Sequence, residues 1–439
     1  MTQVDSIILS GFIVTVNPEF EILKNHCLVI HNGQILAILE NDQTQYTSNQ
    51  LIDRTEHIIM PGLINAHNHA AMTLLRGYAD DMGLMTWLNE YIWPAEAKWV
   101  NDDFVYTGTQ LAIAEMLKSG TTCFSDQYFF PLACAKAVDE SGMRAQIAPP
   151  VIDFANNWAK DAQDHIDQTL ALAKQYKNHE RISIAFGPHA PYTVSDQPLT
   201  DIAALSKQQQ LPVHIHIHET AFEVNDAVEK LGKRPLARLH ELGLLNKNLQ
   251  AVHMTQLNDD EIQLLVEHQV SVVHCPQSNL KLASGICPIT ALTKAGVNVC
   301  LGTDGAASNN DLDLFCEMRT AALLAKGTTG DPTSISAEQA IKMATINGAK
   351  ALGLSAKIGS LEVGKQADFC IIECNHLNTS PMYNVASSLV YSTNSAQVSD
   401  VYVNGVCLLQ DKQLLSLDET SLMQQAKQWQ LKISQTSST

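Results

Sequence analysis

The sequence predicts an α/β fold: a (β/α)8 TIM-type barrel with a small discontinuous β-sandwich domain formed by both chain ends. Apolar strand-like runs alternate with helix-like stretches over about 300 residues, which is typical of a parallel α/β barrel. Short β-rich runs occupy both ends of the 439-residue chain, and polar residues follow the strand-like runs of the middle. We therefore expect a β domain in two parts, 1–58 and 357–439, around a barrel at 59–356.

The β domain is predicted from short apolar runs near both ends of the chain. These runs are 6–9, 12–16, 27–30, 368–372 and 401–406. Asn32-Gly33 between two β-rich runs is a strong signal for a hairpin turn. We expect the two ends to pair into one accessory domain.

The barrel is predicted from alternating elements in the middle of the chain. Its clearest strand-like runs are 182–186, 271–273 and 297–301. Ser336 with Gln339 resembles a capping box, and Gly353 is the expected end of that helix. A helix after Asp418 is predicted from apolar residues at helical spacing, and the tail 435–439 is expected to fray. That spacing is set by Leu422, Ala426, Trp429 and Ile433.

Composition limits the partners and the compartment. A formal net charge of -18 argues against nucleic acid or an anionic membrane as partner. The chain opens without a basic, apolar secretory signal and has no apolar run of membrane-spanning length. Ten cysteines without framework spacing predict reduced thiols and a cytoplasmic protein. We expect a small-molecule substrate, and the sequence leaves a homo-oligomer open.

Histidine or aspartate follows several of the predicted strands. These residues are His67, His69, His189, His253, His274 and Asp304. Because side chains at the carboxyl ends of barrel strands converge on one mouth, we expect them to lie together. Imidazoles with one carboxylate are ligands that a zinc ion prefers. The sequence therefore predicts a metal site at this mouth.

The third histidine ligand is ambiguous from spacing alone. His67 and His69 at i and i+2 on extended backbone point to the same side. The strand 213–219 carries His214, His216 and His218, which alternation also places on one face. We expect one of these three to bind the ion and the other two to fill the interior or form hydrogen bonds.

Several motifs together resemble the amidohydrolase superfamily, and within it the methylthioadenosine/S-adenosylhomocysteine deaminase branch. The resemblance covers nearly the whole chain. It rests on Pro61-Gly-Leu-Ile-Asn-Ala-His67-Asn-His69, His216-Ile-His-Glu219-Thr220, His253, His274-Cys-Pro-Gln-Ser-Asn-Leu-Lys-Leu282, Leu301-Gly-Thr-Asp304-Gly-Ala-Ala-Ser-Asn-Asn310 and 358–368.

The resemblance implies a role for individual residues. It implies one zinc ion per subunit, with iron and manganese as alternatives, held by His67, His69, His216 and Asp304. The run 182–186 leads to His189 instead of the bridging lysine of two-metal members, which fits a single ion. The implied catalytic residues are Glu219, His253, His274 and Asp304. The implied substrate contacts are Trp87, Glu96, His189, Glu219 and Asp304.

The implied reaction is hydrolytic deamination of an adenine nucleoside. Asp304 would deprotonate the attacking water, Glu219 would protonate purine N1, and His253 with His274 would orient the nucleophile. Guanine deamination and triazine hydrolysis are the alternative reactions, and a non-catalytic scaffold is a remote one.

One departure from the family pattern bears on the substrate. Members that favour S-adenosylhomocysteine are expected to carry carboxylate-binding arginines after the strand at 142–144, whereas residues 148–160 contain none. Lys160 is the one cation there, while Phe154 and Trp158 suit an uncharged methylthio group. The sequence therefore favours methylthioadenosine over S-adenosylhomocysteine and leaves adenosine open.

Overall fold

The computed structural model describes residues 2–42 and 45–434. The tail 435–439, predicted to fray, lies outside the described residues. The chain divides into two compact units. Unit 1 comprises 1–65, 114–123 and 313–418, and unit 2 comprises 66–113, 124–312 and 419–439. In the part of the chain that is described, no helix is long and apolar enough to cross a membrane.

Strands and helices alternate through the middle of the chain, and strands dominate both ends. The strands are β1 Thr2–Val14, β2 Ile22–Lys24, β3 His26–His31, β4 Gln34–Glu40, β5 Tyr46–Pro61, β6 Leu63–Asn68, β7 Thr121–Asp126, β8 Arg144–Ile147, β9 Pro150–Val151, β10 Ile182–Ile184, β11 Gly187–Pro188, β12 Val213–Ile217, β13 Leu249–His253, β14 Ser271–His274, β15 Asn298–Leu301, β16 Phe369–Glu373, β17 Val398–Val403, β18 Val406–Gln410 and β19 Gln413–Leu414.

The helices are mostly short and lie between the strands. They are α1 Leu84–Thr86, α2 Trp93–Trp99, α3 Asp102–Lys118, α4 Pro131–Ser141, α5 Ala162–Tyr176, α6 Asp196–Gln209, α7 Ala221–Leu231, α8 Pro235–Glu241, α9 Asp259–Glu267, α10 Pro276–Lys281, α11 Ile289–Ala295, α12 Leu314–Thr329, α13 Ala337–Ala344, α14 Ile346–Ala351, α15 Val385–Tyr391 and α16 Glu419–Ser434. Two 3-10 turns, Ala70–Leu75 and Ser395–Gln397, and a π-helical turn, Trp87–Ile92, complete the described elements.

Unit 1 contains a sheet that joins both chain ends. Its order is β19-β18-β17-β16-β5-β1-β3-β4, and β2 pairs with β1. The two ends meet where β5 pairs antiparallel with β16, with Ile59 opposite Ile371. Phe369 and Tyr402 stack in its core at a centroid distance of 4.6 Å. The expected pairing of the ends is present as one sheet, and a two-layer sandwich stays a prediction.

The N-terminal hairpin forms where the sequence predicts it, but the first strand is longer than expected. Asn32 and Gly33 have φ values of 52° and 75° and connect β3 to β4. The predicted runs 6–9 and 12–14 form the single strand β1 with a bulge near Gly11, and the last two residues of the predicted run 12–16 lie beyond its end. A Cβ at Gly11 would lie 2.5 Å from the Thr55 carbonyl oxygen, so this close approach requires glycine.

The α/β region contains two four-stranded sheets. One has the order β10-β8-β7-β6, in which β8 and β10 are parallel, and the other has the parallel order β12-β13-β14-β15. A parallel bridge joins Phe186 to Val213, and the Asp304 amide donates to the His67 carbonyl at 3.1 Å. These links connect strand ends of the two sheets. A closed eight-stranded barrel stays a prediction.

The helix predicted from Ser336 to Gly353 is correct in its start and wrong in its continuity. Ser336 and Gln339 form the reciprocal capping box of α13. Thr345, with φ -132° and ψ -98°, then interrupts the helix, and α14 follows. A dihedral pair outside the helical region breaks the backbone ladder, which the apolar periodicity does not reveal.

The boundaries of the two compact units differ from the domain boundaries predicted at 58/59 and 356/357. Residues 313–356 belong to unit 1, and α16 belongs to unit 2. In unit 2, Trp429 of α16 packs edge to face on Phe104 at 5.3 Å. Three of the four residues predicted as the apolar stripe of this helix are buried: Leu422, Trp429 and Ile433.

Candidate metal centre and cavity

Four predicted ligands meet in unit 2 at the ends of three strands. Nε2 of His67 and Nε2 of His69 each lie 3.2 Å from Oδ1 of Asp304. Nε2 of His216 lies 3.2 Å from Nε2 of His67. Of the three histidines on the strand 213–219, His216 is therefore the one whose free nitrogen joins the cluster.

The strand that carries His216 gives the other two histidines different partners. Nε2 of His214 lies 2.7 Å from Nδ1 of His67. His218 has a φ of 55°, which ends the strand geometry, and its Nε2 accepts a hydrogen bond from the Leu236 amide at 3.1 Å. Strict alternation therefore fails at His218, because left-handed backbone redirects its side chain.

Hydrogen bonds fix which nitrogen of each ring is free. The Gln250 Oε1 atom can only accept, so Nδ1 of His214 donates to it at 2.7 Å. A neutral His214 then accepts from Nδ1 of His67, which leaves the lone pair of His67 on Nε2. Burial lowers the pKa of His214 to about 4, which keeps that ring neutral.

Backbone carbonyls set the other two rings in the same way. Nδ1 of His69 donates to the Gln127 carbonyl at 2.7 Å, and Nδ1 of His216 donates to the His189 carbonyl at 2.7 Å. Each ring therefore has Nε2 left as the donor atom for an ion. Outer hydrogen bonds of this kind orient metal-binding histidines in general.

Two hydroxyl groups donate hydrogen bonds to one carboxylate oxygen of Asp304. Its Oδ2 accepts from Ser278 at 2.7 Å and from Ser308 at 2.8 Å. The Gly305 amide donates to Oδ1 at 2.8 Å. Asp304 has a φ of 61°, a costly conformation for a non-glycine residue. Oδ1 thereby faces the histidine nitrogens.

This donor set fits a tetrahedral divalent ion. Three nitrogen lone pairs and a carboxylate oxygen repel one another at separations of 3.2 Å unless a cation lies among them. Ligand bonds of about 2.0 Å in a tetrahedron place ligand atoms about 3.3 Å apart. The observed separations match that value.

The pKa values of the four cluster residues reflect the same crowding. Burial opposes a charged ring at His69, yet its hydrogen bond to Asp304 raises the pKa of His69 to about 9. Burial holds the pKa of His67 and His216 well below the ordinary value. The four groups thus compete for a proton, which a divalent ion would displace.

Glu219 lies beside the metal cluster, three residues beyond His216. Its backbone carbonyl accepts from the Thr255 hydroxyl at 2.7 Å, and its Oε1 accepts from the Ser284 hydroxyl at 3.2 Å. Its Oε2 lies 3.7 Å from Nε2 of His253. Burial raises the pKa of Glu219, although His253 acts in the opposite direction. A carboxyl group in this environment is suited to general-acid chemistry.

The buried Glu223 holds the backbone of the same segment and was not found from the sequence. Its Oε1 accepts the His218 amide at 3.1 Å, and its Oε2 accepts the Glu219 amide at 2.8 Å. Burial raises the pKa of Glu223 to about 8, while these amide bonds favour its ionised form. Its position in the first turn of α7 also favours negative charge.

The two other predicted catalytic histidines have different environments. Nδ1 of His253 donates to Oδ1 of Asn279 at 2.9 Å, which directs Nε2 toward Glu219. His274 is buried and does not line the cavity. Neither ring nitrogen of His274 has a hydrogen-bond partner among residues 2–42 and 45–434. The structure therefore brings His253, but not His274, to the site.

A cavity of about 470 Å³ opens onto the cluster and brings the predicted substrate residues together. Trp87, Glu96 and His189 line it with His69, His216, Glu219, His253 and Asp304. Trp87 belongs to the π-helical turn, and its indole donates to the Ala79 carbonyl at 3.2 Å. The apolar part of the lining includes Trp93, Phe154 and Trp158.

Two polar residues that the sequence did not single out contact the predicted substrate residues. The Tyr128 hydroxyl donates to Oε1 of Glu96 at 2.7 Å. Thr193 Oγ1 lies 3.0 Å from Nδ1 of His189. Thr193 follows His189 by four residues, but Tyr128 is distant from Glu96 in sequence. Only the fold brings the latter pair together.

A buried cluster of three imidazoles and one carboxylate in an α/β fold is typical of proteins that bind a divalent metal ion. Residues 58–408 match the amidohydrolase family. The chain belongs to that family.

Similar proteins cover almost the whole chain. It is 49% identical to a 5-methylthioadenosine/S-adenosylhomocysteine deaminase of Saccharophagus degradans, over 98% of this chain and 97% of that protein. It is 42% identical to a 5'-deoxyadenosine deaminase of Methanosarcina acetivorans, over 96% and 97%. The crystal structure of an adenosine deaminase from Xanthomonas campestris with bound zinc has a TM-score of 0.98 and 46% identity, over 99% of both chains.

Proposed function

We propose that the protein is a zinc-dependent deaminase. It removes the amino group from the adenine ring of 5'-methylthioadenosine or a related adenine nucleoside by hydrolysis, which gives the inosine analogue and ammonia. The observation that carries the proposal is the buried Glu219 beside the His67, His69, His216 and Asp304 cluster in one cavity. The deaminase relatives support this reaction over guanine deamination or triazine hydrolysis.

We propose that those four residues hold one zinc ion per subunit. A bound zinc ion lowers the pKa of water toward neutrality and so supplies the nucleophile. The hydroxyl groups of Ser278 and Ser308 hold the Asp304 carboxylate in place, and this carboxylate would accept the proton of the attacking water.

Glu219 supplies the proton that activates the ring. Burial raises the pKa of Glu219 and so favours its protonated form, which gives the proton to purine N1 and makes C6 electrophilic. Nε2 of His253 lies beside Glu219 and orients the attacking oxygen. The C6–O bond forms, and the proton taken by Asp304 passes to the amino group. The C6–N bond then breaks and ammonia leaves, while the proton of the C6 hydroxyl returns to Glu219 as the 6-oxo group forms. A role for His274 stays a prediction.

The cavity favours an uncharged 5' substituent. No lysine or arginine occurs among the described residues that line it, and Lys160 is not one of them. Phe154 and Trp93 contact edge to face at 6.5 Å and offer an apolar wall. The carboxylate of S-adenosylhomocysteine would lack a charged partner there, so we propose a preference for methylthioadenosine.

We also propose the finer architecture predicted from the sequence: a closed (β/α)8 barrel and a β-sandwich domain, with boundaries near 58/59 and 356/357. The Phe186–Val213 bridge and the Asp304–His67 hydrogen bond support closure. A cytoplasmic location and a homo-oligomer belong to the same set of proposals.

Ammonia release by the zinc-loaded protein tests the function. Methylthioadenosine, S-adenosylhomocysteine, adenosine and guanine would be compared under one condition, with metal content measured in the same samples. We expect methylthioadenosine to exceed S-adenosylhomocysteine at least about tenfold in kcat/KM, since one unpaired charge costs that much or more. Absence of turnover with every adenine nucleoside would overturn the proposal.

A further inference from the structure

Two polar residues of the sequence motifs have no part in the metal centre or in the proposed reaction. Lys281 belongs to the run 274–282, and Asn310 ends the run 301–310. The structure brings both side chains to Asp80. Nζ of Lys281 donates to Oδ1 of Asp80 and to Oδ1 of Asn310, each at 2.5 Å. Nδ2 of Asn310 lies 3.5 Å from Oδ2 of Asp80. These three residues form the Asp80 cluster.

The Asp80 cluster joins three segments of unit 2. Asp80 lies between β6 and α1, Lys281 ends α10 after β14, and Asn310 lies in the loop after β15. Arg76 adds a second connection, because its Nη1 donates to the Asn310 carbonyl. None of the three cluster residues is among the described residues that line the cavity. The cluster therefore acts from outside the cavity.

Residues 76–92, here called the covering segment, supply one side of the cavity. Four of its apolar side chains are buried and line the cavity: Leu84, Trp87, Leu88 and Ile92. The Trp87 indole donates to the Ala79 carbonyl at 3.2 Å, and the Trp87 amide donates to the Gly83 carbonyl at 3.0 Å. Both bonds stay within the covering segment. They fix Trp87 relative to the backbone beside Asp80, and the Asp80 cluster connects that backbone to the loops after β14 and β15.

The backbone on both sides of Asp80 has little side-chain support. Gly77 has a φ of 64°, and an added Cβ at Gly83 would meet nothing within 4 Å. The hydrogen bond from Lys281 lowers the pKa of Asp80, so this carboxylate is ionised at neutral pH. An ion pair thus holds a part of the chain that its own packing restrains weakly.

We propose that Asp80, Lys281 and Asn310 are positioning residues that hold the covering segment, and with it Trp87, against the cavity. The inference rests on the proposed function, because the nucleoside is the ligand that the segment would enclose. Without the ion pair, the covering segment opens more often and a bound nucleoside leaves faster. Proton transfer involves none of the three residues, so their loss should raise KM and leave kcat nearly unchanged.

Hydrogen exchange of the covering segment tests the inference without any substrate. Amides of residues 76–92 would be followed by mass spectrometry in the zinc-loaded protein. The Lys281 and Asp80 side chains are 24% and 34% exposed, so solvent partly screens their attraction. We expect Asp80→Asn and Lys281→Met each to speed this exchange about three- to tenfold. Exchange as slow as in the wild type would overturn the inference.

Asp81→Asn and Lys294→Met are the matched controls, because both residues are exposed and lie outside the Asp80 cluster. Both controls should exchange like the wild type, and an effect as large as that of Asp80→Asn would overturn the inference. The double variant Asp80→Asn/Lys281→Met should exchange no faster than Lys281→Met alone, because each change breaks the same ion pair. Effects that multiply in the double variant would show that the two residues act independently and would contradict it.

Nucleoside release separates this inference from the proposed function. The dissociation rate of methylthioadenosine would be measured on zinc-loaded Glu219→Gln protein, where substrate is not consumed. We expect Asp80→Asn and Lys281→Met to raise this rate about three- to tenfold and to leave zinc content unchanged. An unchanged rate, or a loss of zinc, would overturn the inference. If methylthioadenosine does not bind at all, the proposed function fails, and hydrogen exchange still decides whether the cluster holds the covering segment.

Discussion

At the scale of single residues, Glu219 is the proton donor on which turnover depends. Replacing it by Gln keeps the size of the side chain but removes its transferable proton. We expect Glu219→Gln to lower kcat at least about 1,000-fold, within the range of general acid catalysis. Zinc content, measured by elemental analysis, should stay at the wild-type level, because Glu219 is not among the four ligand atoms.

The exposed Glu229 on α7 provides the matched control. Glu229→Gln should retain full turnover. Loss of zinc from Glu219→Gln would show that Glu219 supports the metal cluster, and its role as proton donor would then be misassigned.

The environment of Glu219 also predicts the pH dependence. Burial raises its pKa, so the protonated form persists to higher pH than in water. Since only that form donates, kcat/KM should fall as pH rises through this pKa, about tenfold per pH unit beyond it. A kcat/KM profile measured from acid to alkaline pH checks the sign; a rise along this limb would contradict it.

Residue roles were predictable only in part. Motif resemblance singled out Glu96 and Trp87, and both line the cavity. Tyr128, Glu223 and Gln250 were missed because each one forms a hydrogen bond to a site residue, and the motifs do not show these contacts. Spacing alone left His214, His216 and His218 equivalent, and hydrogen bonds distinguish them.

At the scale of elements, the close approach of β15 to β6 holds the cluster together. A Cβ at Gly302 would lie 2.7 Å from the His67 nitrogen and 2.9 Å from its carbonyl oxygen. That oxygen accepts the Asp304 amide at 3.1 Å. We therefore expect Gly302→Ala to push Asp304 away and to weaken zinc binding at least tenfold, since misplaced metal ligands cost about that much. Competition with a chelator measures it.

Gly327 in α12 gives the opposite expectation for the same substitution. An added Cβ there meets nothing within 4 Å. Gly327→Ala should keep zinc affinity unchanged and stabilise the helix by about 0.5–1 kcal/mol. Equal zinc affinity in the two variants would contradict the role assigned to Gly302.

Elements were predictable where a local signal decides them. Asn32-Gly33 and the Ser336–Gln339 box form as expected, because turn and cap chemistry involve neighbouring residues. The break at Thr345 and the bulge at Gly11 were not, since each depends on contacts with distant backbone or on dihedral angles that periodicity does not encode.

At the scale of the whole molecule, the C-terminal helix contributes to the stability of unit 2. Trp429 packs on Phe104 at 5.3 Å and is buried. We expect Trp429→Ala to cost about 3 kcal/mol and to lower the midpoint of thermal unfolding by about 5 °C. Zinc content should not change, because α16 supplies no ligand.

Leu431 on the same helix is 53% exposed and serves as the control. Leu431→Ala should leave the midpoint within about 1 °C, as expected for a surface position. A midpoint in Trp429→Ala as high as that of Leu431→Ala would mean that α16 adds nothing to the stability of unit 2.

The global class was the most predictable property. Alternating elements and polar strand ends indicate an α/β fold with a shared mouth, and the family match agrees. The boundaries at 58/59 and 356/357, predicted from the β-rich runs at both ends, stay a prediction; the compact units depend on packing, which places 313–356 in unit 1 and α16 in unit 2.

The most direct test of the account is a zinc titration of chelator-treated protein, with ammonia release from methylthioadenosine as the readout. We expect no turnover in the chelator-treated protein and a linear rise to a plateau at one zinc per chain. Full turnover without metal, or a plateau at two zinc ions per chain, would contradict it.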